Sequence, residues 1–312
     1  MAEPIQIQSW WWSQPGGRTT YTKDHVLIWR DSVRRHLTIP HTFALVTDLV
    51  DELDNIKIIA PPRDFEAVRI PTWGTHMPQC LRRIAMFRRD AAEVFGARRF
   101  LSMDLDCVIS GSLDEIVGRT EDLVMYRGTH AARPYNGSML LMTAGARPQV
   151  YEQFTPDGAV QAGQKYLGSD QAWISHILGP GEAVWDASDG VHAWNSRLNV
   201  GDPRITFFLQ PEKPWSYVGS GNSFCCEHYR RDPQPGKVLI LGYAPTVWDD
   251  VEEALASGPF DAVIASPEAA HYWPRPVDAI AHDDDQALRI ARMMGFEDYV
   301  FCGRQQAEAA VA

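Results

Sequence analysis

The sequence predicts an α/β fold: a mostly parallel, Rossmann-like sheet with helices on both faces. Short apolar runs rich in β-branched and aromatic residues recur along the chain, and each reads as a strand. Between them lie segments whose apolar residues fall three or four positions apart, which read as helices. One apolar run, "RRFLSMDLD", ends in two aspartates, and ligands gather beyond the carboxyl ends of the strands in parallel sheets.

The elements follow in order. "PIQIQSWWW" (residues 4–12) is strand-like, and the glycine-bearing loop "SQPGGRTTY" follows it. "TKDHVLIWRDSVRRHL" spaces Val26, Trp29, Val33 and Leu37 on one helical stripe, with Thr22 placed to cap it. "HTFALVTD" and "IKIIAPP" are short strands closed by turn residues. "PQCLRRIAMFRRDAAEVFG" places Leu81, Ile84, Phe87, Ala91 and Val94 on one face and predicts a single helix stopped by Gly96. "RRFLSMDLD", "DLVMYRG" and "GSMLLMTAG" are strands, "SDQAWISHIL" is a helix capped by Ser169, and "RITFFLQ" is a further strand. Alternation of this kind argues for a parallel sheet covered on both sides.

Composition narrows the function. The chain has 312 residues, 45% hydrophobic and 22% charged, enough for a large domain with a smaller one beside it. A formal charge of −11 argues against a broad phosphate-tracking surface. The five cysteines form no C-x-x-C pair and read as reduced thiols, so a cytoplasmic location is expected. The start lacks the basic and apolar regions of a signal peptide, and the apolar runs are far shorter than the ~20 residues that span a bilayer.

Asp104 and Asp106 carry the sharpest signal. Along an extended chain they share a face, with Leu105 on the other, and they repel unless a cation sits between them. A hard divalent ion with oxygen ligands answers that need and also takes diphosphate oxygens. The competing reading is a solvated strand end that caps the following "SGSLDEIV" segment.

The segment "RRFLSMDLDCVISGSLDEIV" resembles the metal-binding stretch of glycogenin-like (family 8-like) glycosyltransferases, in which a strand ends in D-x-D and leads to an "LDEL" element. Further likenesses come in the same order as in the bacterial and phage members of that group: "YTKDHVLIWRDSVRRHLTIPHTFALVTD", "RRIAMFR", "YNGSMLLMTAG", "GSDQAWI" and "RITFFLQPEKPW". They cover roughly residues 5–220. The resemblance implies the GT-A nucleotide-diphospho-sugar transferase fold with a metal at the sheet edge.

It also implies roles. Asp104 and Asp106 would bridge Mn²⁺ or Mg²⁺ to the diphosphate of a nucleoside-diphosphate sugar, a UDP-sugar first among them. Arg83 occupies the family's basic position, where a guanidinium holds phosphate or sugar oxygens; a solvated helix arginine is the other reading, since Arg82, Arg88 and Arg89 crowd the same segment. Asp48 stands where the family reads the base edge, or it caps a helix. Trp11 or Trp12 would stack on the base or wall the pocket, or all three tryptophans pack as core and rim. Asn136 and Ser138 match the strand that contacts donor-sugar hydroxyls. Asp170 and Gln171 match the segment lining the sugar and acceptor pocket, although Asp170 also suits a helix N-terminus.

One departure stands out. The family's last strand supplies a metal-ligating histidine followed by a phosphate-binding lysine. Here Leu209 stands at the histidine position and Gln210 at the following glycine, while Lys213 is retained. Leucine cannot ligate a metal, so His192 or His228 enters as a substitute, or the aspartates, donor and water suffice.

The expected organisation is a transferase domain over residues 1–220, a linker over 221–236, a small Rossmann-like α/β domain over 237–304, and a tail over 305–312. "HDDD" (residues 282–285) reads as an acidic helix N-terminus rather than a metal cluster. The predicted activity is metal-dependent transfer of a hexosyl group to a hydroxyl acceptor, with retention of configuration. The acceptor class (glycan, lipid, protein or modified nucleobase) and homo-oligomerisation stay open. A nucleotidyltransferase of similar fold and a non-catalytic sugar-nucleotide binder are the alternatives.

Overall fold

Every residue of β1 (Ile5–Trp10) is buried, as expected of a central strand covered on both faces. The computed structural model describes residues 3–14, 21–71, 79–130, 132–209, 211–242, 259–273 and 276–302. Two units are present: Met1–Thr22 with His36–Leu209, and Lys23–Arg35 with Gln210–Ala312.

The first unit is built on β1, β2 (His41–Val46), β3 (Lys57–Ile59), β4 (Arg99–Met103), β5 (Cys107–Ile109), β6 (Leu123–Arg127), β7 (Tyr135–Thr143), β8 (Ala183–Trp185), β9 (Val191–Ala193) and β10 (Ile205–Phe207). Seven of these form one sheet in the order β3-β2-β1-β4-β7-β6-β8. β7 runs against both its neighbours, β4 and β6, and the other pairings in this sheet are parallel. The remaining three form a small sheet, β5-β10-β9. Alternate strand residues such as Ala44 and Val46, or Leu140 and Met142, enter one core cluster with Phe87, Phe95 and Trp173.

The segment after Cys80 departs from the single predicted helix. Cys80–Phe87 is a 3₁₀ helix, the backbone turns extended at Arg88, and a short α-helix, Ala91–Phe95, follows. Leu81, Ile84 and Phe87 lie three apart, the spacing at which 3₁₀ side chains stack, and all are fully buried. Gly96 ends the second helix in the left-handed conformation, φ 69°.

The second unit carries a four-stranded parallel sheet, with β11 (Lys237–Leu241), β12 (Ala262–Ala265), β13 (Ala279–Ile280) and β14 (Asp298–Cys302) in the order β13-β12-β11-β14. Residues 243–258, most of the N-terminal loop and the tail lie outside the described residues. Asp283 caps the helix Asp284–Met293 through Gln286 N at 2.6 Å, so the acidic run is a helix start as expected. Residues 221–236, expected as a linker, hold the helix Ser223–His228. Among the described residues no helix is long and apolar enough to cross a membrane.

Within this unit His25 stacks on Trp215 with ring centroids 4.0 Å apart. Burial, with Lys213 nearby, pushes the imidazole down to about 4. The unfolded chain therefore takes up this proton near 6.5 while the folded chain resists it to about 4. The stability held above 6.5 is lost as pH falls towards 4, by up to about 3 kcal/mol. His25→Gln is expected to flatten that acid-side slope, read from denaturant midpoints between about pH 7 and pH 4.5.

Candidate active site

In the first unit, chain order and sheet order diverge at β1. β2 lies on one side of it and β4 on the other, so the connections lead away in both directions, the kind of switch point at which a parallel sheet offers a crevice beyond its carboxyl ends. The residues at that rim are Trp11 and Trp12 after β1, Asp48 after β2, and Asp104 after β4.

Asp104 does not continue β4. The chain bends through Asp104–Asp106 because β4 belongs to the large sheet and β5 to the small one. The alternation expected of an extended segment is therefore replaced by a bend. Leu105 is buried in the core, and Asp104 keeps 29% of its side chain in solvent. Asp106 is buried, and its carbonyl accepts from Phe208 N at 2.9 Å, which brings the end of β10 beside the aspartate pair.

Arg83 organises the site. Its guanidinium is almost wholly buried, with Nε donating to Asp170 Oδ2 at 2.8 Å and Nη1 to Asp104 Oδ1 at 2.6 Å. Nη2 donates to the carbonyl of Gly137. Burial alone would weaken its charge, but Asp170 and then Asp104 reverse that and hold the guanidinium firmly protonated. The other arginines of this segment have separate tasks. Arg82 holds the carbonyls of Pro61 and Pro62, Arg88 pairs with Asp90 and Asp64, and Arg89 pairs with Glu152.

β7 brings the next group. Its antiparallel pairing with β4 sets Asn136, Gly137 and Ser138 against the bend, and Asp104 N donates to Ser138 O at 2.8 Å. Asn136 Oδ1 accepts from Ser138 N, and Gly137 N donates to Gln171 Oε1 at 3.2 Å. A Cβ on Gly137 would lie 2.7 Å from Arg83 Nη2 and 3.1 Å from Asp170 Oδ2, so glycine is needed for the strand to approach the guanidinium.

Burial raises the Asp104 carboxyl to about 6, and Asp106 adds to the effect while Arg83 and the Ser138 hydroxyl oppose it. The half-buried Cys80 thiol next to this cluster is raised to about 12 by burial and by Asp170, which disfavours the thiolate.

Ser169 occupies the N-cap position of the helix Asp170–Leu178, but its ψ of −95° is not a capping geometry and its hydroxyl makes no cap bond. It accepts instead from Cys80 N at 3.0 Å, tying the helix start to the Arg83 segment.

Trp12 packs in the core, edge-on to Trp10 at 5.7 Å, and Trp11 is half-buried. Asp48 is exposed and accepts from Ser13 N at 2.8 Å. Lys213 lies in the second unit, buried, with Nζ 5.9 Å from the Trp215 ring. Leu209 is exposed beyond β10, and Gln210 lies outside the described residues. His192 Nε2 is engaged by the carbonyl of Val200 at 3.1 Å, so it is not a ready metal ligand.

Arg133 and Thr129 were not singled out from the sequence. Arg133 is buried and donates from Nη1 to Leu167 O, and its Nη2 shares Thr129 Oγ1 with Asn136 Nδ2. Leu167 and Gly168 both have positive φ, 55° and 130°, so Arg133 fastens the strained elbow that delivers Asp170 and Gln171. "GTHAARP" reads as an ordinary turn, and no local signal marks these two residues.

Metal ligation can be judged from the donor set. Among the described residues no group of three or more His, Cys, Asp or Glu side chains could hold an ion. Asp104 and Asp106 supply hard carboxylate oxygens, one of them solvent-facing, and fit Mg²⁺ or Mn²⁺ provided that ligand oxygens and water complete the shell.

No family profile matches the sequence, and no curated protein matches it. Among solved structures, the galactosyltransferase LgtC in complex with donor and acceptor sugar analogues is similar at 14% identity, with 68% of this chain and 89% of that one covered and a TM-score of 0.46. The glycosyltransferase GlyE of Streptococcus pneumoniae TIGR4, in its apo form, matches at 12% identity over 95% of this chain and 80% of its own, TM-score 0.45. Mouse xyloside xylosyltransferase 1 matches at 11% identity over 66% of this chain and 97% of its own, TM-score 0.45.

Proposed function

We propose that the protein is a metal-dependent glycosyltransferase that takes its sugar from a nucleoside-diphosphate donor, a UDP-sugar first among them, and passes it to a hydroxyl acceptor with retention. The observation that carries this reading is the placement of the D-x-D pair. Asp104 and Asp106 sit at the carboxyl end of β4, beside the crevice at β1, and Asp104 is joined through Arg83 to Asp170.

Each group has a task in this reading. Trp11 and Asp48 lie at the rim beside β1 and β2, suited to a base. Asp104 and Asp106 would hold the ion, which offsets charge on the departing diphosphate when bound. Arg83 supplies a cation that no working pH removes, placed to meet phosphate or sugar oxygens. Asn136 and Ser138 present polar groups for sugar hydroxyls. Asp170, fixed by Arg83, would face the donor sugar, and Gln171 is held by Gly137. Retention puts the acceptor hydroxyl on the leaving-group face, where the departing phosphate takes its proton, so no dedicated protein base is needed.

The test is donor hydrolysis with Mn²⁺ across a panel of nucleotide sugars. Release of UDP from one of them is the expected result. Release of pyrophosphate instead would identify a nucleotidyltransferase, and binding without turnover would identify a sugar-nucleotide binder.

A further inference from the structure

The second unit contains a cleft of ≈ 390 Å³ that the transferase reading does not use. Its walls include Arg230, Arg231 and Arg292, with Phe296 and Tyr299 as the aromatic part and Glu297 as the lining carboxylate. The chain as a whole has a formal charge of −11, so three guanidinium groups around one cavity are not explained by general basicity.

The wall is built rather than incidental. Arg231 N donates to Met293 O at 3.0 Å and Gln234 N to Gly295 O at 2.7 Å, so the arginine-bearing segment is pinned along the end of the helix Asp284–Met293. Gly295 has φ +86°, and a Cβ there would lie 2.5 Å from Asp232 O, which fixes how closely the two segments approach.

The arginines have spare capacity. The Arg231 guanidinium reaches Asp24 and Asp31 only at 3.8 Å, and its Nε is buried with no hydrogen-bond partner. Asp31 is already satisfied by Arg30 at 2.6 Å and by Asp232 N at 3.1 Å. Burial raises the carboxyl of Asp24, which makes it a reluctant counter-ion. Arg230 spends Nε on the carbonyl of Glu227, and its side chain is otherwise exposed, as is that of Arg292. Guanidinium forks match phosphate oxygens, and the volume suits a small metabolite.

We infer that this cleft is a second ligand site, independent of the Asp104 site, that binds a small molecule bearing one or two phosphate groups. The probe is pyrophosphate, titrated calorimetrically into the whole chain with chelator present so that metal-bridged binding at Asp104 is suppressed. One saturable site per chain is expected, weakened about tenfold or more by Arg292→Ala and by Arg230→Ala, and undetectable in the double variant. Both arginines are exposed, so the variants should melt as the wild type does. Asp104→Asn should bind pyrophosphate as the wild type does. Absence of saturable binding to the wild type, or an affinity that the double variant leaves unchanged, overturns the proposal. So does an affinity lost in Asp104→Asn.

Discussion

Replacing Arg83 by alanine is expected to destabilise the first unit by about 3–5 kcal/mol, because it leaves buried charge without its partner. Asp170, only 6% exposed in its side chain, would lose the Nε donor at 2.8 Å. The Gly137 carbonyl would lose its donor as well. Asp104 suffers less, since 29% of it already meets water. On the scale of a domain this size the change corresponds to a melting shift of roughly 10 °C. Arg83→Lys keeps the charge but one ammonium cannot serve three acceptors in three directions, so about half the loss should remain. The double variant Arg83→Ala, Asp170→Ala should be less destabilised than the sum of the single variants, because the second change removes the orphaned carboxylate. Melting of Arg83→Ala within a degree or two of the wild type would show that Asp170 does not depend on this guanidinium.

Much of this arrangement was legible in the sequence, and the residues that were not share a cause. Strand and helix types follow from local patterning, so β1, β2, β4, β6, β7 and the helix Asp170–Leu178 lie where periodicity put them. The Cys80–Phe95 stretch reads as one helix because spacings of three and four suit an α-helical stripe, and spacings of three alone also suit a 3₁₀ turn. The run Leu81, Ile84, Phe87 carried the tighter period all along. Where the helix breaks, Arg88 pairs with Asp90 beside it and with Asp64 on a distant loop. The D-x-D pair was legible as chemistry but not as shape, since its bend comes from a strand changing sheets. Arg133 was invisible for the same reason, because its partners Thr129 and Leu167 meet only in the folded chain.

Asp104→Asn should separate function from stability in opposite directions. The carboxylate is costly to the fold: burial raises it to about 6 against 3.8 for the free group, so ionisation is penalised in the folded state. Wild-type stability should therefore fall as pH rises from 3.8 through about 6 and level off above, while the Asn variant lacks that fall. Near pH 7 the variant should be as stable as the wild type or more stable, by at most about 3 kcal/mol. Donor turnover should nevertheless drop about 100- to 1,000-fold, the scale of losing one preorganised electrostatic group. Mn²⁺ should raise the melting temperature of the wild type and leave that of the variant unmoved, a readout that needs no turnover. A carboxylate kept where burial penalises its ionisation suits a ligand site, in addition to its pairing with Arg83. A variant that retains both turnover and the Mn²⁺ response would remove Asp104 from the site, and the transferase reading with it.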